Sequence, residues 1–337
     1  MIKLEGTEKI QKIETNLLND PMVSVCVQTY NHGSTIAQCL DSILSQKTEF
    51  EYEILIGEDD SKDDTRAICL QYAEKYPDKI RLFLHDRSNV IYIDGYATGR
   101  YNLIYNLNSS RGKYIALCEG DDFWCDNSKL SKQISFLEQN KNFEICFHNS
   151  NLLNDKGIIG TFRPVYTDFK EQIVNVEDQI SHRVIGHTSS AVFRKSAVNL
   201  PKWFLKVTSG DMGLFTLILS TGHGFFLNQV MSTYRVEFGV TSRFKGMKIF
   251  YDILKLNHYL NKQLKNRYLK TFREVNHKYY KSLVEREKLG TRYFKNIVQF
   301  LFRNDSSTLR FSSRIIFVSK LLSRKRLFSF FKKTIEN

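Results

Sequence analysis

The chain has 337 residues, of which 42% are hydrophobic and 25% are charged, as in a globular protein of one large or two ordinary domains. Four prolines and seventeen glycines exclude a collagen-like or low-complexity chain, and no apolar run approaches the roughly 18 residues that a membrane-spanning helix needs. The first twenty residues lack the apolar core and cleavage site of a signal peptide, so we expect a cytoplasmic protein.

The net charge of +13 is unevenly distributed. Residues 242–337 contain 24 Lys and Arg against 6 Asp and Glu, whereas residues 1–241 contain 25 against 30. All six cysteines lie in the acidic part, and none forms a Cys-x-x-Cys pair. We therefore expect reduced thiols in place of a disulfide or zinc framework.

Short apolar runs alternate with helix-like stretches from residue 22 to about residue 147. The expected strands are Met22–Val27, Tyr52–Gly57, Ile80–Leu84, Lys113–Cys118 and Phe143–Phe147. The expected helices are Ser34–Gln46, Thr65–Tyr76, Tyr96–Leu107 and Lys129–Asn140. This alternation predicts an α/β fold with a mostly parallel central sheet, and such sheets bind ligands at the carboxyl ends of their strands.

The pattern weakens after residue 149. It then predicts a hairpin at Gly157 and Gly160, a strand over Thr188–Phe193, a helix over Asp211–Leu219 and a strand over Phe225–Val230. Beyond Phe244 the apolar spacing is helical throughout. We therefore expect an N-terminal leader over residues 1–21, an α/β domain over residues 22–241 and a basic α-helical C-terminal extension over residues 242–337.

Three carboxylates follow the strand expected over Lys113–Cys118, in the sequence Glu119-Gly120-Asp121-Asp122. Because neighbouring carboxylates repel one another, a compensating cation is expected, and Mg²⁺ and Mn²⁺ accept such oxygen ligands together with phosphate oxygens. A solvated acidic turn is the alternative. The buried strand before it and the aromatic pair Phe123-Trp124 after it favour the metal.

A second polar cluster follows the strand expected over Tyr52–Gly57. Helix capping accounts for Asp63 and Asp64, but Glu58 and Asp59 lie at the strand end, where a carboxylate can accept a hydrogen bond from a base or ribose. Thr29-Tyr30-Asn31 follows the first strand and offers a hydroxyl, a ring and an amide on the same rim, although Asn31 also suits a turn.

Three segments in this order, residues 23–31, 53–61 and 112–124, resemble the inverting glycosyltransferases of family 2, which build bacterial polysaccharides and lipopolysaccharide. The resemblance covers roughly Pro21 to Ser242. It implies a GT-A fold, which is Rossmann-like with a mostly parallel central sheet. It also implies a nucleotide-sugar donor, most often a UDP-sugar, and Mg²⁺ or Mn²⁺ as cofactor.

The resemblance also assigns residues to the site. Asp121 and Asp122 are implied to hold the metal, and Asp211 is implied to be the catalytic base, with a helix N-cap as its alternative. The residues implied to bind the nucleotide-sugar are Thr29, Tyr30, Asn31, Asp59, Arg100, Asn102, Glu119, Asp121 and Arg235. Glu237 stands where relatives often have His, which places any metal or phosphate role of that position in doubt.

The basic extension interleaves cations with apolar residues, notably in Tyr293–Arg303 and Leu321–Lys333. This pattern favours a helix on an anionic membrane surface over nucleic acid, for which no recognition motif is present, while packing on the catalytic domain stays an alternative. The expected function is transfer of a sugar to a glycan or lipid-linked acceptor at the inner face of the cytoplasmic membrane. The alternatives are a sugar-1-phosphate nucleotidyltransferase, disfavoured by the lack of a Gly-rich basic loop, and a non-catalytic binding protein.

Overall fold

A computed structural model describes residues 2–13, 20–162, 173–182, 185–236 and 247–286. The chain divides into two compact units, Met1–Ser242 and Arg243–Asn337. All six cysteines have free thiols, and five of them are buried, whereas Cys125 is exposed.

The first unit is an α/β structure. Its strands are β1 (Gln11–Ile13), β2 (Val23–Thr29), β3 (Tyr52–Glu58), β4 (Ile80–Leu84), β5 (Ile91–Ile93), β6 (Tyr96–Thr98), β7 (Tyr114–Leu117), β8 (Phe123–Trp124), β9 (Phe143–Asn154), β10 (Gly157–Thr161), β11 (Ile173–Val174), β12 (Val192–Arg194) and β13 (His223–Arg235). Its helices are α1 (Ile36–Leu44), α2 (Thr65–Lys75), α3 (Arg100–Ser109), α4 (Lys129–Gln139), α5 (Val176–His182) and α6 (Gly210–Leu219).

The strands of the central sheet lie in the order β1-β4-β3-β2-β7-β12-β9-β13-β11. The four strands from β4 to β7 are parallel to one another, with Val25 opposite Ile54 and Ala116. Strand β12 is antiparallel to both of its neighbours, and β9 and β13 pair in parallel beyond it. The carboxyl ends of β2, β3, β4 and β7 therefore meet at one edge of the sheet.

The parallel strands are mostly apolar and buried along nearly their whole length, because helices cover both faces of the sheet. Every residue of β3 is buried, and so is every residue of β2 except Gln28. One polar cluster crosses this core: Arg81 Nη1 lies 3.2 Å from Glu53 Oε2, and Ser24 Oγ donates to Glu53 Oε1 at 2.6 Å. These bonds satisfy a buried charge pair and hold β2, β3 and β4 together at their amino ends.

The predicted parallel strands and the helices between them are confirmed, with two differences in detail. The helix expected over Tyr96–Leu107 begins only at Arg100, because β5 and β6 form a hairpin whose turn residues Asp94 and Gly95 have φ of 53° and 85°. The strand expected over Thr188–Phe193 is wrong in its first half, where Thr188–Ser190 is a 3-10 turn and the strand begins at Val192.

In the later part of the first unit, two strands also differ in length from the predicted ones. Strands β9 and β13 run for 12 and 13 residues, so both are longer than the apolar runs that predicted them. The hairpin expected at Gly157 and Gly160 is confirmed, since the two residues have φ of 107° and 148° and β10 pairs with β9.

The second unit contains the helices α7 (Met247–Gln263) and α8 (Leu269–Arg286). Asn257 Nδ2 donates to Asn276 Oδ1 at 2.5 Å between them, and Lys248 pairs with Asp252 at 2.6 Å within α7. In the part of the chain that the structure describes, no helix is both long and apolar enough to cross a membrane. The basic runs Tyr293–Arg303 and Leu321–Lys333 lie outside the described residues.

Candidate active site

Three loops meet at the carboxyl ends of β2, β3 and β7. Gly120 N–H donates to the Gln28 carbonyl at 2.9 Å, and Asp59 N–H donates to the Thr29 carbonyl at 3.1 Å. Thr35 Oγ1 donates to the Gly120 carbonyl at 2.9 Å. The polar clusters that are far apart in sequence thus form one continuous rim.

Gly120 is required for the close approach of two of these loops. A Cβ at this position would lie 2.6 Å from Thr29 Oγ1 and 2.8 Å from His32 Nδ1, whereas real Cβ atoms keep beyond about 3 Å. Thr29 is buried, and its hydroxyl lies 3.2 Å from His32 Nδ1. Thr29, which is expected to bind the nucleotide-sugar, therefore lies directly against Gly120 of the acidic sequence Glu119-Gly120-Asp121-Asp122.

The acidic turn, Glu119 to Asp122, follows β7. Asp121 and Asp122 are buried, while Glu119 is partly exposed. Desolvation of its carboxylate, together with the charges of Asp121 and Asp211, raises the pKa of Glu119 to about 8. Burial and the charges of Asp121 and Glu119 hold the pKa of Asp122 well above its usual range. Since several carboxylates share a buried site, the turn favours a cation.

Arg235, on the last residue of β13, closes the acidic turn. Its backbone N–H donates to Asp122 Oδ1 at 3.1 Å, and its guanidinium donates to the Asp121 carbonyl and to Gln38 Oε1. The ring of Phe123 lies 5.0 Å from the guanidinium carbon. Arg235 thus contacts both expected metal ligands, and Glu237 lies outside the described residues.

The acidic turn suits a hard divalent cation, although the described residues contain no group of three or more His, Cys, Asp or Glu side chains arranged as a complete metal site. Mg²⁺ is commonly held by one or two carboxylates and completed by phosphate oxygens and water. Asp121 Oδ2 also lies 3.9 Å from His32 Nε2. The donor set fits a cation that binds together with a diphosphate.

Asp211 lies in the first turn of α6, and it is not the N-cap, because that position belongs to Ser209. Its side chain is partly exposed, and its charge acts on both Glu119 and Arg100. The helix end therefore brings the expected catalytic base into electrostatic range of the acidic turn.

Arg100 holds the segment that leads into α6. Its Nη2 donates to the carbonyls of Val207 and Thr208, each at 2.9 Å, and its guanidinium lies 4.3 Å from the centre of the Phe204 ring. Burial lowers its pKa to about 10, and the charge of Asp211 opposes that shift. A Cβ on Gly210 would fall 2.0 Å from Arg100 Nη1, so the glycine makes room for the guanidinium.

Two other residues that are expected to bind the nucleotide-sugar form hydrogen bonds with neighbouring loops and strands. Asn102 is buried, and its Nδ2 donates to the Gly57 carbonyl of β3 at 2.7 Å. Asn31 has a φ of 54°, and its Oδ1 accepts a bond of 2.9 Å from Lys62 N–H, which confirms its expected turn geometry. Contact of Arg100, Asn102 and Asn31 with a donor stays a prediction.

Asp59 and Tyr30 are joined by a residue that the sequence reasoning missed. Arg87 Nη1 lies 3.1 Å from Asp59 Oδ2, and its guanidinium carbon lies 3.9 Å from the centre of the Tyr30 ring. Burial raises the pKa of Asp59 to about 6, and Arg87 opposes that shift. We call Tyr30, Asp59 and Arg87 the Arg87 cluster. Its signal in the sequence was the position of Arg87 just beyond β4, at the same edge as the other clusters.

Residues 24–199 match the family model described as Glycosyl transferase family 2. The chain belongs to this family. The family and the GT-A fold expected from the motifs are confirmed.

Curated relatives differ in how much of their own length the match covers. An uncharacterized protein of Mycobacterium tuberculosis, Rv1520, is 32% identical over 59% of this chain, and the match spans 57% of that protein. The glucosyltransferase WfaP of Escherichia coli, named UDP-Glc:alpha-D-GlcNAc-diphosphoundecaprenol beta-1,3-glucosyltransferase, is 30% identical over 69% of this chain and 86% of its own.

Two solved structures share the fold at low identity. Staphylococcus aureus TarS 1–349 in complex with UDP has a TM-score of 0.51 at 18% identity, covering 89% of this chain and 78% of its own. The mannosyltransferase PcManGT of Pyrobaculum calidifontis, in complex with GDP-Man and Mn²⁺, has a TM-score of 0.51 at 14% identity, covering 92% and 88%.

Proposed function

We propose that this family 2 protein transfers a sugar from a UDP-sugar to a glycan or lipid-linked acceptor, with inversion and with the help of Mg²⁺ or Mn²⁺. The observation that carries the proposal is the position of Asp211, whose charge reaches Glu119 of the acidic turn. A carboxylate on a separate element, α6, is thus within electrostatic range of the acidic turn. The names of WfaP and of the UDP complex of TarS support a UDP-sugar donor.

The Arg87 cluster is proposed to take the nucleobase. Tyr30 offers a ring for stacking, and Asp59 offers an oxygen that accepts a hydrogen bond from the N–H of uracil. Arg87 contacts both side chains, so it fixes the ring and the carboxylate before the donor arrives. Such preorganisation lowers the entropy that binding would otherwise cost.

The acidic turn is proposed to face the diphosphate. Asp121 and Asp122 would hold the divalent cation, whose chemistry is to neutralise charge on the diphosphate as it leaves. Arg235 keeps both residues in place through its bonds to Asp122 Oδ1 and to the Asp121 carbonyl. Glu119, partly exposed beside them, is proposed to contact the ribose.

Asp211 is proposed to remove the proton from the acceptor hydroxyl. The acceptor oxygen then forms a bond to the anomeric carbon, on the face opposite the nucleotide. The bond from that carbon to the phosphate oxygen breaks, and its electron pair leaves with UDP. Arg100 is proposed to position the segment that carries Asp211, because its guanidinium holds the carbonyls of Val207 and Thr208 just before the helix.

The substitution Asp211→Asn tests this assignment. We expect transfer to fall by roughly 10²- to 10⁴-fold, as on loss of a general base, while UDP affinity in Mn²⁺ changes less than about twofold. Asp178→Asn is the matched control, since Asp178 is also an acidic residue in the first turn of a helix, α5. Radiolabelled transfer and calorimetry measure the two quantities. Strong residual transfer in Asp211→Asn, or an equal loss in Asp178→Asn, would reject the assignment.

We also propose that the second unit binds an anionic membrane surface. The turn between α7 and α8, together with the adjoining helix ends, exposes Lys262, Lys265, Arg267 and Lys270. The sequence has no Asp or Glu from Ile253 to Arg273. Each cation near an anionic leaflet contributes about 1 kcal/mol. A lipid-linked acceptor, as named for WfaP, lies at such a surface.

Flotation of the full chain with phosphatidylglycerol and phosphatidylcholine vesicles tests the membrane proposal. Replacing the four exposed cations by Gln should reduce binding to phosphatidylglycerol vesicles at least about tenfold. The control replaces exposed lysines of the first unit, Lys12, Lys62, Lys141 and Lys156, and should leave binding within about threefold, in keeping with their position outside the turn. Equal losses in both variants would indicate net charge alone, and salt-sensitive RNA binding without vesicle binding would favour nucleic acid.

A further inference from the structure

Residues 2–13, the N-terminal strap, precede the residues that match the family model, yet they are built into the first unit. Strand β1 forms the edge of the sheet and pairs with β4, with Gln11 opposite Leu84 and Ile13 opposite Leu82. Ile2 and Ile10 are buried. The strap is therefore an integral part of the fold at the edge of the sheet next to β4.

The strap is also bonded to the turn that follows β4. Asn89 Nδ2 donates to the Gly6 carbonyl at 3.0 Å, and Lys9 Nζ donates to Ser88 Oγ at 3.2 Å. Gly6 has a φ of 72°, and a Cβ at this position would lie 2.2 Å from Asn89 Oδ1. The glycine is therefore needed both for the backbone conformation and for the approach of Asn89.

This turn carries Arg87. It is a single 3-10 turn over Arg87–Asn89, begun by Asp86, whose side chain accepts a bond of 2.7 Å from Ser88 N–H. Two of its three residues contact the strap, and the third contacts Asp59 and Tyr30. The turn thus connects the strap to the Arg87 cluster.

We infer that the N-terminal strap is a positioning element for the donor: through Asn89 it holds Arg87 against Tyr30 and Asp59. This inference rests on the proposed role of the Arg87 cluster in binding the nucleobase. Hydrogen bonds weaken steeply with distance and angle, so a small displacement of so short a turn is enough to separate Arg87 Nη1 from Asp59 Oδ2. Loosening the strap should therefore weaken donor binding and leave the chemical step intact.

The test compares two asparagines, each of which donates one hydrogen bond from its side-chain amide to a backbone carbonyl of the strap. Asn89 bonds to the Gly6 carbonyl beside Arg87, and Asn108 bonds to the Ile2 carbonyl at 2.9 Å from α3. In the full chain with Mn²⁺, Asn89→Ala should raise the Kd of UDP roughly threefold to tenfold, as expected for one lost hydrogen bond. Asn108→Ala should change that Kd less than twofold, in line with the small coupling of separated sites. In transfer assays Asn89→Ala should raise the KM for the donor and keep kcat.

A second pair of variants separates positioning from general destabilisation. If Asn89 acts through Arg87, Asn89→Ala should have no further effect on UDP affinity in an Arg87→Ala chain. An undiminished effect in that background would overturn the inference, and so would an unchanged UDP affinity in Asn89→Ala while Arg87→Ala weakens binding. An unchanged affinity in Arg87→Ala itself would instead reject the proposed nucleobase role of the cluster, and the inference with it.

Discussion

Lys129, the first residue of α4, is a fully buried lysine that packs against Trp124 of β8, the strand that follows the acidic turn. Its Nζ lies 4.0 Å from the centre of the Trp124 ring, and no hydrogen-bond partner for it is present in the described part of the chain. Burial lowers the pKa of Lys129 to about 7 from its ordinary value of 10.5. Replacing this lysine by Met, which has a similar shape, tests how strongly the buried site resists a charge.

The sign of the effect follows from proton binding. Between pH 7 and pH 10.5 the unfolded chain holds a proton on Lys129 that the folded chain has released, so the free energy of unfolding rises with pH. Below pH 7 both states hold the proton, and the slope vanishes while the full cost of the buried charge remains. From pH 7 to pH 9 this group should add roughly 2 kcal/mol to the free energy of unfolding.

Urea unfolding at pH 7, 8 and 9 measures the effect as the difference between the wild type and Lys129→Met. Buried thiols such as Cys146, whose pKa burial raises to about 12, titrate in the same range in the unfolded chain, but their contribution cancels in this difference. Lys132→Met is the control, since that side chain lies on α4 with 40% of its area exposed. The free energy of unfolding of the wild type and of Lys132→Met should show the same contribution that rises with pH, and Lys129→Met should lack it. Parallel curves for all three chains would refute the reasoning.

Three further predictions concern the site itself. Gly120→Ala should weaken UDP binding in Mn²⁺ at least about tenfold, because the new methyl group would overlap Thr29 Oγ1; binding within twofold would contradict this. Between pH 7 and pH 5 the wild type should lose more UDP affinity than Asp59→Asn, because Asp59 is protonated as the pH falls through about 6 and its charge no longer pairs with Arg87. The titration of UDP itself affects both chains equally, so identical pH profiles would contradict this prediction. Arg100→Met should lower kcat more than UDP affinity, because Arg100 supports the segment before Asp211; a loss confined to UDP affinity would instead indicate donor contact.

The parallel half of the sheet and the acidic turn could be predicted from the sequence because their signals are local. Strand β3 contains the apolar run Ile54–Gly57 and is followed by carboxylates, and the acidic turn comes just after β7. Parallel strands bring such ends together, so the rim formed by Thr29, Asp59 and Asp121 followed from strand order and family resemblance.

Contacts between distant segments could not be predicted in the same way. Arg87 carries no local signal beyond its place after β4, and its partners Tyr30 and Asp59 are 57 and 28 residues away in sequence. The strap was expected to be part of a leader, because residues 1–21 are polar and mixed in charge. Its pairing with β4 gives little sequence signal, since it needs only the three residues of β1. The start of α3 was missed for a similar reason, since the turn at Asp94 and Gly95 interrupts an otherwise helical spacing.

The most direct test of the proposed function is the anomalous diffraction of manganese in crystals of the full chain grown with UDP and Mn²⁺. We expect one peak between the carboxylates of the acidic turn, Asp121 and Asp122, and the diphosphate, with the uracil at the Arg87 cluster. A diphosphate bound elsewhere, or UDP bound at this rim with no manganese peak beside either carboxylate, would contradict the proposal.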